Sequence, residues 1–280
     1  MRHQLWCAAL TLPQLAPLRR APVLRNLPNM IIRIVAISLA LLSSSVMGSE
    51  YKIDLKLNDL KLSKFEYVPA VNERERINFR YRDEVKSYFV HVPKSTPKEM
   101  PVVVALHGAG RSGSSMVDAW RKCSDKHGFM VVAPNGVGNN WDVAIDDSGF
   151  INEAMKDALN KFGKSSKKIY LFGHSNGARK AISLAALYPN EYTAIAVHAG
   201  TLPELTKSAI NHQASALPRV GIFLGDRDHI FSVESARETT AWLEKYGYPT
   251  SLIIMQNHSH WYYEDFDRIN ASVWAFMSRI

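Results

Sequence analysis

Gly173, Ser175 and Gly177 form a G-x-S-x-G pattern in the middle of the chain. Ahead of it, Ile169, Tyr170, Leu171 and Phe172 read as a short buried strand. Behind it, Ala178, Ala181, Ile182 and Ala185 recur at helical spacing. A serine on so sharp a strand-to-helix turn projects its hydroxyl above a sheet, and the glycines spare the neighbouring backbone a collision. Free N–H groups at the helix start then lie beside that hydroxyl, ready to hold a developing anion. A serine hydroxyl needs a base to take its proton, and the base needs an acid to orient it. Two downstream segments offer these groups. Asp226 and Asp228 follow the apolar run 220–224, and His258 and His260 follow the run 252–255. Each segment holds two candidates, of which one can face the serine.

These groups must be positioned by the elements around them. Residues 77–81 and 88–92 alternate apolar and polar, as in an antiparallel pair opening a sheet. Residues 101–106, 129–133, 169–172, 193–197, 220–224 and 252–255 are solid apolar runs, the pattern of strands covered on both faces. Helical spacing predicts helices over 114–126, 150–162, 178–187, 233–246 and 269–277, with Pro189 stopping the third. Alternating residues between 51 and 62 suggest edge strands or an irregular cover. The expected class is α/β, a mainly parallel sheet with helices on both faces. In such sheets chemistry lies at the carboxyl ends of the strands, and each candidate above follows a strand.

Bulk properties narrow the function classes. The 280 residues carry a formal charge of +8, but Arg2, Arg19, Arg20, Arg25 and Arg33 fall in the first 48 residues, which contain no acid. Without that stretch the charge is only +3, which gives no case for nucleic acid as a partner. Arg33, the apolar run 34–42 and small residues before Ser49 read as a signal peptide over 30–48, removed on export to the periplasm or medium. The run is too short to span a bilayer comfortably, so no stable membrane anchor is expected. Met30 is an alternative start. Residues 49–280 are then one catalytic domain. Cys7 belongs to the leader, which leaves Cys123 alone and no internal disulfide.

The chain resembles esterases of the α/β-hydrolase superfamily, near the polyhydroxybutyrate depolymerases and the feruloyl and acetylxylan esterases. The resemblance rests on LHGAG at 106–110, PNG at 134–136, DDSGFI at 146–151, IYLFGHSNGA at 169–178, GDRD at 225–228 and HWYY at 260–263. It implies a fold of the α/β-hydrolase type, hydrolysis of carboxylic esters, and no metal or organic cofactor. Carried over, it implies Ser175 as nucleophile, Asp228 as acid with Asp226 its rival, and His260 as base with His258 its rival. The oxyanion hole would use the N–H groups of Asn176 and Ala109, with Gly110 the alternative to Ala109. His107 opens the oxyanion loop, where a structural role is expected rather than proton transfer. His107, Trp141 and Trp261 are also candidates for contact with substrate, as are Tyr262 and Tyr263. The partner expected is a small or oligomeric ester. A prolyl-oligopeptidase-type peptidase and a non-catalytic binding protein on the same fold remain as other readings.

Overall fold

Side chains of one strand alternate between two cores. Val102, Val104 and Leu106 enter one apolar cluster, and Val103 and Ala105 enter the other. Leu171 and Phe172 divide in the same way, as do Ile254 and Met255. This is why the runs are apolar at every position: both faces of the sheet are covered.

The computed structural model describes residues 49–53, 66–141, 148–209 and 216–279. All of these fall within one compact unit, Val46–Ile280. The strands are β1 (Ser49–Ile53), β2 (Ile77–Tyr81), β3 (Glu84–His91), β4 (Val102–Leu106), β5 (Met130–Pro134), β6 (Ile169–His174), β7 (Ala194–His198), β8 (Arg219–Gly225) and β9 (Thr250–Met255). They form a nine-stranded sheet in the order β1-β9-β8-β7-β6-β4-β5-β3-β2. Only the β2–β3 and β3–β5 pairs are antiparallel. The helices are α1 (Gly113–His127), α2 (Ser148–Lys161), α3 (Asn176–Leu187), α4 (Glu204–Ala209), α5 (Val233–Lys245) and α6 (Phe266–Met277). Helices α2, α3 and α5 pack into one core, and α1 and α6 into the other. On the α1 side, the buried Trp120 ring meets Phe129 and Phe172 edge-on.

The alternation near residue 51 becomes the edge strand β1, paired parallel to β9, while 54–65 lie outside the described residues. The leader, 1–48, also lies outside them, as do 142–147. Helix α6 starts three residues before its apolar spacing does. The Asp265 carbonyl already accepts from the N–H groups of Arg268 and Ile269.

The turn between β6 and α3 has no spare room. A Cβ on Gly177 would lie 2.3 Å from the Leu106 carbonyl oxygen, and one on Gly173 would lie 2.2 Å from the carbonyl oxygen of Gly177. Neither obstacle is a side chain that can swing away. Gly128 ends α1 at φ 72°, with open space where its Cβ would be. Gly177→Ala is therefore expected to lower unfolding free energy by about 3 kcal/mol or more, the top of the range for overpacking. Gly128→Ala should lower it by about 1–2 kcal/mol, the cost of a left-handed residue. Urea denaturation of both variants measures the difference, and equal losses would contradict this account of the turn.

Candidate active site

Ser175 sits between β6 and α3 with φ 54° and ψ −117°. A non-glycine residue in that conformation stores about 1–3 kcal/mol of strain. Two backbone bonds hold it there. Ser175 N–H donates to the His198 carbonyl (2.9 Å), and Arg179 N–H donates to the Ser175 carbonyl (3.1 Å).

From this position Ser175 Oγ lies 2.9 Å from His260 Nε2. His260 Nδ1 lies 2.9 Å from Asp228 Oδ2. The other carboxylate oxygen, Oδ1, accepts from the N–H groups of Ile230 (2.8 Å) and Phe231 (2.9 Å). Burial alone would push the Asp228 carboxyl up. The hydrogen bond and charge of His260, together with the two N–H groups, outweigh burial and hold it below its usual range. An ionised Asp228 accepts Nδ1–H and leaves Nε2 bare toward the serine hydroxyl.

Main-chain stitches set these distances. Asp226 N–H donates to the Met255 carbonyl (3.0 Å) and Arg227 N–H to the His258 carbonyl (3.0 Å). The loop after β8 is thus tied to the loop after β9. A Cβ on Gly225 would lie 2.1 Å from the His258 carbonyl oxygen, so only glycine permits the approach. Asp226, exposed, takes no part in the Ser175–His260–Asp228 line. His258 Nε2 lies instead 2.8 Å from His198 Nε2.

A cavity opens over Ser175 and His260. Gly108 and Ala109 form one side, and His174, Trp261, Tyr263 and Arg111 form the rest. Arg111 lies over the Tyr263 ring, 5.1 Å from its centroid, and donates to the Tyr67 carbonyl (2.7 Å). Tyr67 stacks on Tyr263 at 4.6 Å. The Gly110 N–H is committed to the Asn139 carbonyl (2.8 Å). That removes Gly110 as a free donor, while Ala109 borders the cavity. The Asn176 side chain donates to the Trp141 carbonyl (2.8 Å), which braces the start of α3.

Three expectations about the cavity wall need correction. His107 is fully buried, and its Nδ1–H donates to the Gly108 carbonyl (2.9 Å) while Nε2 accepts from Gly136 N–H (3.0 Å). With both nitrogens used internally, it holds the loop rather than a substrate. Trp141 is 2% exposed, and its Nε1–H donates to the His107 carbonyl (2.8 Å). Its large apolar ring packs beside Phe150 in the core. Tyr262 is also buried, with its hydroxyl donating to Asn270 Oδ1 (2.6 Å). Trp261 and Tyr263 do border the cavity.

His198 escaped sequence reasoning, although its signal was present: it ends a buried apolar strand at the same sheet edge as Ser175. Arg111 and Tyr67 escaped it too. Among the described residues, no group of His, Cys, Asp or Glu side chains is set to hold a metal. No described helix is long and apolar enough to cross a membrane.

A parallel sheet with a strained serine at one strand end and the Asp–His pair at two others defines an α/β-hydrolase. Solved structures agree in fold. An esterase called PE8 has TM-score 0.52 and 22% identity over 66% of this chain and 96% of its own. Thermogutta terrifontis esterase 2 has TM-score 0.57 and 15% identity over 77% of this chain and 98% of its own. Residues 87–275 match the family model of the Dienelactone hydrolase family, and the chain belongs to that family. Among curated relatives, an acetylxylan esterase of Coprinopsis cinerea is 33% identical over 149 residues, 48% of this chain and 40% of that protein. A feruloyl esterase B of Thermothelomyces thermophilus is 28% identical over 126 residues, 40% of this chain and 43% of that protein. The chain thus spans less than half the length of these relatives.

The buried imidazoles give a pH dependence with a definite sign. Burial pushes His107 and His258 down to about 4. The unfolded chain binds protons at these positions near pH 6.5, and the folded chain does not until about pH 4. Stability is therefore full above pH 6.5 and falls as the pH drops from there to about 4, by up to about 3 kcal/mol per histidine. Chemical denaturation between pH 4 and 7 reads this slope. A flat profile would contradict neutral burial of these rings.

Proposed function

We propose that the protein is a serine esterase that hydrolyses carboxylic esters through an acyl-enzyme. The observation that carries this reading is the unbroken line from Ser175 Oγ through His260 to Asp228, ending at a cavity. His260 takes the proton of Ser175 as the hydroxyl oxygen attacks the ester carbonyl. Asp228 fixes the imidazole tautomer and faces the positive charge that forms. The N–H groups of Asn176 and Ala109 receive the oxyanion, where one donor is worth about 2.7–4 kcal/mol of barrier. The tetrahedral intermediate collapses, His260 returns the proton to the leaving alcohol, and the acyl group stays on Ser175. A water, deprotonated by His260, attacks the acyl carbon, and His260 passes that proton to Ser175 Oγ as the bond to the serine breaks and the acid leaves. The residues named supply every proton transfer in this sequence.

For the substrate, the names of the relatives favour acetyl esters such as those of acetylxylan, and feruloyl esters. Trp261 and Tyr263 give the cavity an aromatic wall that suits either a sugar face or a phenolic acyl group. Hydroxyalkanoate esters form the third class, on the motif resemblance alone. The basic, apolar leader supports export to the periplasm or medium, with removal of 1–48.

Purified protein is expected to hydrolyse p-nitrophenyl acetate and to leave proline-containing amides intact. Ser175→Ala should abolish turnover. Asp228→Asn should lower kcat by about 10³–10⁴ with little change in fold, because the imidazole adopts the wrong tautomer. Parallel assays on acetyl, feruloyl and hydroxybutyrate esters identify the acyl class. Full turnover by Ser175→Ala would overturn the proposal.

A further inference from the structure

Three further histidines stand in a buried row beside the catalytic line. His174 ends β6 and His198 ends β7, directly across the ladder. Their Nδ1 atoms are 3.0 Å apart. The other nitrogen of His198, Nε2, lies 2.8 Å from Nε2 of His258. All three rings are at most 4% exposed. His174 ends the row at the cavity, where its ring lies 5.2 Å from that of His260. A Cβ on Gly108 would be 3.0 Å from His174 Cδ2 and 3.5 Å from its Nε2, so that edge of the ring faces the oxyanion loop.

A neutral imidazole has one N–H and one bare nitrogen. His198 must therefore accept on one side and donate on the other, and the row has only two self-consistent arrangements. In one, every proton is displaced toward the cavity and His174 shows Nε2–H there. In the other, every proton is displaced toward His258 and His174 shows a bare Nε2. The charges at the two ends decide. At the His258 end lie the carboxylates of Asp265, Asp228 and Asp226. At the His174 end lies Arg111, while His260, once protonated, acts on both ends. The phenols of Tyr262 and Tyr263 also pack on His174. Negative charge at one end and positive charge at the other both draw the protons toward His258.

We propose that His174, His198 and His258 act as one polarised positioning unit, with the lone pair of His174 Nε2 facing the cavity and the negative end of the aligned imidazoles turned toward His260. The unit steadies the imidazolium that forms when Ser175 loses its proton. That consequence rests on His260 being the base, whereas the proton arrangement does not.

Two measurements separate these statements. The first is ¹H–¹⁵N spectroscopy of the imidazole nitrogens in the full chain near pH 7, which needs no substitution and no activity. The expected result is a proton on Nδ1 of His174, on Nε2 of His198 and on Nδ1 of His258. A proton on Nε2 of His174, or a second proton on any of the three rings, would overturn the proposal. The second is the acid limb of kcat/KM with an acetyl ester. The ionisable groups around His260 are Asp228, His174, His229 and His258. Substitution of His258 removes its imidazole and leaves the other three in place, so a comparison of two such variants isolates the acceptor for His198. His258→Leu removes the acceptor for His198, and the limb should move to lower pH by about 0.5, with kcat down about threefold. His258→Gln offers its carbonyl oxygen to His198 Nε2–H and should restore the limb to within about 0.2. Identical limbs for His258→Leu and His258→Gln would overturn the electrostatic role. Absence of turnover in the unsubstituted protein would instead count against the esterase reading and leave the proton arrangement to the spectra.

Discussion

The site depends on a backbone conformation that its surroundings impose. Ser175 lies at φ 54°, where a residue with a side chain is strained, and it stays there because the chain on either side cannot relax. Gly173 and Gly177 are packed against carbonyl oxygens, and the Ser175 N–H is fastened to the last residue of β7. The strain aims the hydroxyl at His260 and places the first N–H groups of α3 next to it. Relief of the strain would separate the hydroxyl from both.

The same economy governs the partner groups. The acid and the base arrive on separate loops, yet two backbone hydrogen bonds and the close approach at Gly225 make those loops one body. His258 joins this body to the serine strand. Its carbonyl holds the acid loop and its ring meets His198, whose own carbonyl holds Ser175. A residue that never touches the serine thereby connects all three strand ends. It also explains why a second histidine sits two residues from His260 with its ring turned away from the serine.

Much of this was legible in the sequence. The apolar runs marked the parallel strands because a strand covered on both faces can carry no polar alternation. Ser175 and the pairs Asp226/Asp228 and His258/His260 could be marked because each follows such a run, while the choice within each pair came from the family resemblance. The aromatic and imidazole residues were harder. His107 and Trp141 were expected at the cavity and are buried, since sequence cannot tell a ring whose polar atoms are satisfied inside from one that faces a ligand. His198 shows its place at a strand end but not its role, for the opposite reason: its partners, His174 and His258, are distant along the chain, and only the ladder and the last loop unite them. The end of α6 nearest the site was placed three residues late, because backbone capping by Asp265 has no apolar period to betray it.

The central claim is that Ser175 carries the acyl group between two half-reactions. The most direct test is to mix the protein with an acetyl ester, quench within the first turnover, and map acetylated peptides by mass spectrometry. The account predicts a single acetyl group on Ser175 that appears before acetate accumulates and is absent in Ser175→Ala. Acetate released at the full rate without any acetyl on Ser175, or with the acetyl on another side chain, would contradict it.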